Sequence, residues 1–114
     1  MTHPMTVAFR GMRHSKSLDA DIRARAAKFE VRCRRITSCH VVVEVAQRRH
    51  AQGSRFRISI DMAVPDEEIT ATREGIRADL RRVIGEAFGA ARRRLEDYAQ
   101  MRRPVAACAR PALG

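Results

Sequence analysis

The sequence predicts an α+β fold of two layers in the order β-α-β-β-β-α. A four-stranded, mostly antiparallel sheet carries both helices on one face. Three observations lead there. Residues 35–45 and 55–64 alternate apolar and polar side chains, the period-two pattern of a half-covered strand. Residues 18–29 and 76–98 repeat apolar residues every three or four positions, as amphipathic helices do. At 114 residues the chain has room for only one core, so these segments must share it.

The first strand is Thr6-Val7-Ala8-Phe9-Arg10, with Val7 and Phe9 on one side and Gly11 breaking the run. Met1 to Met5 reads as a lead-in. Ser15 or Ser17 can cap the following helix, and Asp19 and Asp21 suit its first turns, where the helix dipole favours negative charge. Leu18, Ile22, Ala26 and Phe29 form its apolar stripe, while Arg23, Arg25, Lys28 and Arg32 lie off that stripe. The helix fades near Cys33. In the central strand, Cys39, Val41, Val43 and Val45 share one face, and His40, Val42 and Glu44 share the other.

Arg48 to Ser54 is a polar connection containing Gly53, suited to a hairpin. In the third strand Phe56, Ile58, Ile60, Met62 and Val64 face one way, and Arg55, Arg57, Ser59 and Asp61 face the other. Pro65-Asp66-Glu67 makes a turn. Glu68 to Arg73 is a shorter fourth strand with Ile69 and Ala71 to bury. Gly75 then punctuates the chain, and the second helix begins at Ile76. Its stripe is Ile76, Leu80, Val83/Ile84, Ala87/Phe88, Ala91, Leu95 and Tyr98. Arg77, Arg81, Arg82, Arg92, Arg93 and Arg94 occupy its polar side. Gly85 and Gly89 suggest close packing against the first helix, and Pro104 stops the second. Residues 1–100 therefore form the folded domain, and residues 101–114 a tail. The outward residues of the strands are polar, so both helices cover the same sheet face and the other stays wet. The helix crossover after the first strand permits a parallel neighbour.

Composition narrows the function. The chain has 23 Lys+Arg against 13 Asp+Glu, a formal net charge of +10, which predicts an anionic partner, above all nucleic acid. Nearly all the basic residues are arginine, which pairs bidentately with phosphate. Aromatic residues are 4% of the chain and none falls on the wet face, which argues against base stacking and for binding by shape and phosphate. No apolar run approaches the ~20 residues of a membrane span. No secretory pattern precedes the first strand, and the three cysteines lack paired spacing, so a reducing cytoplasm is expected.

No residues form a catalytic constellation. His40 sits on the wet face away from any nucleophile, and His3, His14 and His50 lie in the lead-in or loops. Cys33, Cys39 and a histidine lack the close pairs of a zinc site, and Asp66-Glu67-Glu68 reads as a solvated hairpin tip. No metal, cofactor, small-molecule substrate or membrane is expected. The remaining feature is arginine and lysine on the outer faces of two helices that should lie side by side, with acidic residues concentrated elsewhere, notably at Asp66 to Glu68. The candidate RNA-binding residues are Arg23, Arg25, Lys28, Arg32, Arg81, Arg82, Arg92, Arg93 and Arg94.

The chain resembles a known family. Phe9-Arg10-Gly11-Met12-Arg13-His14-Ser15 and the helix after it carry the resemblance, with Arg35-Ile36-Thr37-Ser38-Cys39-His40-Val41-Val42-Val43-Glu44. Ile58 to Pro65 and Arg92-Arg93-Arg94-Leu95-Glu96-Asp97-Tyr98 complete it. Together they are similar to the ribosome hibernation promoting factor and ribosome-associated inhibitor family, also called the sigma-54 modulation protein family. The resemblance covers Thr6 to about Tyr98. It implies binding to the small ribosomal subunit in the channel for messenger and transfer RNA, and silencing of idle ribosomes under stress. It also implies that Arg25, Lys28 and Arg93, with Arg92 and Arg94 beside the last, meet ribosomal RNA. The chain departs from the family at Asp19, where a basic residue is usual, and at Arg81, where an aromatic is common. Long members add a C-terminal domain that pairs ribosomes; this chain is too short for one, so such pairing would need another protein.

The expected function is therefore a non-enzymatic ribosome-associated stress factor that inhibits translation. A general shape-reading binder of structured RNA is the alternative, and a protein-interaction adaptor using the open sheet face is a third. A weak homodimer through an edge strand is left open.

Overall fold

A computed structural model of the chain describes residues 5–32, 35–47 and 54–101, without the side chains of residues 30–32, 47 and 101. Of the expected lead-in Met1 to Met5 only Met5 is described, and it belongs to the first strand; Cys33, most of the connection at 48–54, Pro104 and the tail after Met101 lie outside the described residues.

The elements are β1 (Met5–Arg10), α1 (Lys16–Arg32), β2 (Ser38–Gln47), β3 (Arg55–Val64), β4 (Glu67–Ile76) and α2 (Leu80–Met101), with one 3-10 turn (Arg77–Asp79) before α2. The sheet order is β1-β2-β3-β4. β1 and β2 are parallel, with Val7 beside Val41, because α1 carries the chain back across the sheet. β2, β3 and β4 form an antiparallel meander, with a register shift in β2 between Val45 and Gln47. This is the predicted two-layer α+β architecture.

Local chemistry explains most boundaries. Gly11 takes φ 74 and ends β1. The Ser15 hydroxyl accepts a hydrogen bond from the Leu18 N–H at 3.2 Å, so Ser15 caps α1. Pro65-Asp66 closes the β3–β4 hairpin, with Asp66 at φ 73. Asparagine and aspartate tolerate this left-handed conformation better than most residues.

The core lies between the sheet and the helices. Phe56, Ile58, Ile60, Met62 and Val64 from β3 meet Cys39, Val41 and Val43 from β2. Leu18, Ile22, Ala26 and Phe29 cover them from α1, and Leu80, Val83, Ile84, Ala87, Phe88, Ala91, Leu95 and Tyr98 cover them from α2. The predicted stripes of both helices are thus the buried ones, apart from Ile76.

Ile76 marks the main correction. β4 does not end at Arg73; it continues to Ile76, and α2 starts only at Leu80. Gly75 is a strand residue paired with Phe56. Alternation places Ile76 on the outer sheet face, where it is 37% exposed. The glycine misled because its missing side chain serves packing, not a turn: a Cβ there would collide with the Val83 side chain. The central strand likewise begins at Ser38, not Arg35, although Ile36 is buried ahead of it.

Candidate nucleic-acid interface

The two helices run parallel, side by side. Arg81 on α2 donates to the Ser17 hydroxyl at 2.5 Å and lies 3.6 Å from the Asp21 carboxylate. One turn on, Gly85 faces the Arg25 guanidinium, whose Nη1 would stand 3.4 Å from a Cβ at that glycine. Further along, the rings of Phe29 and Phe88 meet at 5.5 Å between centroids. Gly85 thus has the inter-helix role expected of it; no atom beyond Gly89's own neighbourhood lies within 4 Å of a Cβ built there.

The outer surface of this pair carries most of the predicted basic residues, but not as an unbroken cationic field. Acidic residues are not concentrated away from it, as the sequence suggested. Arg23 binds Asp19 at 2.5 Å, Arg25 binds Asp21 at 3.3 Å, and Arg82 binds both Asp79 at 2.8 Å and Glu86 at 3.1 Å. Arg92 pairs with Glu96 at 3.2 Å. These are mostly i,i+4 helix pairs, and such exposed pairs are weak, so phosphate can compete for the arginines. Lys28 and Arg93 are exposed and form no ion pair with any described residue. The side chain of Arg32 lies outside the described residues.

Arg94 does something else. It donates to the Thr70 carbonyl at 2.6 Å, on the outer edge of β4. Arg73 caps the Thr72 carbonyl on the same strand at 2.8 Å. The Arg92-Arg93-Arg94 run therefore diverges, one side chain to a helix pair, one to solvent and one to the sheet edge.

At the end of the domain where both helices begin, a cleft of about 700 Å³ is lined in part by Arg13, His14, Arg77 and Arg81. Arg77 lies 6.0 Å from the centroid of Phe56. Arg13 and Arg77 extend the basic surface, and the sequence did not single them out as site residues. They belong to two connections remote in sequence, which only the β1–α1 and β4–α2 junctions bring together. Beside the cleft, His14 Nε2 lies 2.6 Å from the Asp19 carboxylate. That hydrogen bond, assisted by Arg23, holds Asp19 below the ordinary carboxylate value of 3.8. Asp19 is thus an organising carboxylate, and Arg81 is an inter-helix strut.

Other candidate chemistry is sparse. Cys39 is a buried free thiol, and burial followed by the Asp61 charge raises it to about 11. His40 shares a hydrogen bond with Thr6 on the outer sheet face. Among the described residues no three His, Cys, Asp or Glu side chains group to hold a metal ion, and no helix is long and apolar enough to cross a membrane.

Comparison with known proteins agrees with this fold. The structure of a ribosomal subunit interface protein from Coxiella burnetii is similar, with a TM-score of 0.70 and 14% identity over 85% of this chain and 98% of that one. The Protein Y N-terminal domain of Thermus thermophilus gives a TM-score of 0.53 and 14% identity over 81% of this chain and 98% of that one. At such identities the likeness is one of fold. No curated protein matches the chain significantly. The family model described as Sigma 54 modulation protein / S30EA ribosomal protein matches residues 5–103, nearly the whole chain, and the chain belongs to that family.

Proposed function

We propose that this protein is a ribosome-associated factor that binds the small subunit through its basic helical face, occludes the channel for messenger and transfer RNA, and so inhibits translation under stress. The observation that carries the reading is the surface of two parallel helices, with Lys28 and Arg93 in no ion pair with a described residue and further arginines held by weak pairs, in a member of this family. The paired arginines are presented in order, and exchange of a carboxylate for a phosphate leaves each guanidinium satisfied. Among the described residues the outer sheet face carries no Phe, Tyr or Trp, which favours recognition of RNA by shape and backbone. The name of the Coxiella neighbour, a subunit interface protein, supports a ribosomal partner. This reading places the protein in the cytoplasm and requires no metal, cofactor or catalytic step.

The test is co-sedimentation with small subunits, large subunits and whole ribosomes at low and moderate salt. Saturable binding to the small subunit, lost when messenger and transfer RNA are bound first, is the expected result. Equal, salt-labile binding to all particles and to bare RNA hairpins would overturn it in favour of a general RNA-binding module.

A further inference from the structure

No described element covers the outer face of the sheet. The strand register sorts that face into rows running across the sheet. One row is Arg10–Glu44–Arg57–Glu74, with charges alternating from β1 to β4. Arg57 bridges its neighbours, 3.2 Å from Glu44 and 3.0 Å from Glu74. The next row is Ala8–Val42–Ser59–Thr72, which is small and flat. The one beyond is Thr6–His40–Asp61–Thr70.

An alternating row of four charges complements itself when reversed. A two-fold axis parallel to the strands, between β2 and β3, performs that reversal on a second copy laid face to face. Arg10 then stands opposite the second copy's Glu74, and Glu44 opposite its Arg57. In the polar row His40 stands opposite Asp61, and in the small row Val42 meets Ser59. Every charge in the alternating row faces its opposite, and the flat middle row lets the sheets approach.

We propose that the outer sheet face is a self-association surface, on which two copies of this chain pair back to back about a strand-parallel two-fold axis. A C2 contact requires a self-complementary patch, and this face is one. Aligned packing of two sheets is an established geometry. Four strands about 4.8 Å apart and up to about 33 Å long cover roughly 500–600 Å² per copy. The two faces together make roughly 1,000–1,200 Å², at the small end of specific interfaces, so the dimer is weak. The alternative, sheet extension at β4, is opposed by Arg73 and Arg94, which cap its outward carbonyls. Both helix pairs point away from the contact, so the inference is independent of the RNA reading.

Sedimentation velocity of the full chain over ~10 µM to ~1 mM reads the association directly. The expected result is a concentration-dependent dimer that weakens with added salt. Ser59→Arg, a charge placed mid-face, should weaken it by at least about tenfold. Arg57→Glu and Glu44→Arg should each abolish self-association, and an equimolar mixture should restore a mixed dimer, since Glu at 57 then faces Arg at 44. Circular dichroism confirms that each variant is folded. A wild-type monomer throughout the range overturns the proposal, as does a dimer indifferent to Ser59→Arg, which is the outcome for edge pairing. Failure of the folded charge variants to form a mixed dimer overturns the axis, because a two-fold perpendicular to the strands does not bring residues 44 and 57 together.

Discussion

Gly75 of β4 lies so close to Val83 of α2 that a methyl group on the glycine would overlap the valine side chain. This contact sets how near the last strand and the second helix approach at their junction. Gly75→Ala should destabilise the fold by about 1–3 kcal/mol in urea unfolding, the usual cost of overpacking. The double variant Gly75→Ala/Val83→Ala should cost less than the sum of its parts, because the two residues compete for one space.

Asp19 gives the fold an acid-sensitive element. Its pKa is depressed by the His14 hydrogen bond and by Arg23, so the folded state favours the carboxylate more than the unfolded chain does. The stabilisation is fully present above the ordinary carboxylate value of 3.8 and fades as the pH falls through the lower, folded value. Unfolding of Asp19→Asn and wild type, compared from about pH 6 down to about pH 2, should show a gap that narrows towards acid.

Cys39 should be chemically silent. The thiol is buried and raised from 9.0 to about 11, so little thiolate exists near neutral pH. In a chain with Cys33 and Cys108 changed to serine, iodoacetamide should label Cys39 at the rate of global unfolding. The raised value also means stability falls as the pH climbs from 9.0 towards about 11, and Cys39→Ala should flatten that decline.

Tyr98 ties the second helix to the β3–β4 hairpin. Its buried hydroxyl donates to the Pro65 carbonyl at 3.3 Å. Tyr98→Phe should lower stability by about 1 kcal/mol, the typical net worth of such a bond.

RNA affinity should divide the basic residues by their partners. Lys28 and Arg93 have no ion pair among the described residues, whereas Arg82 sits between Asp79 and Glu86. Lys28→Ala and Arg93→Ala should each lower the slope of log affinity against log salt by about one. Arg82→Ala should change it less, because that arginine must first leave two carboxylates. Filter binding to purified small subunits across a salt series checks the ranking.

Sequence alone determined the element order, the inward faces of β2 and β3 and, apart from Ile76, the apolar stripes of both helices. Periodicity reports burial, and burial is decided by which side chains prefer to leave water. The sequence also determined the charge excess and the family pattern. Only the tertiary structure decided the end of β4, because Gly75 looks like a turn until Val83 is seen to fill its space. Only the tertiary structure separated Arg93 from Arg92 and Arg94, and brought Arg13 beside Arg77. Three adjacent arginines are alike in sequence, and what distinguishes them is the carboxylate, solvent or strand edge that each side chain meets in space. The same holds for the outer sheet face, whose alternating charges come from four strands and form a row only once the register aligns them.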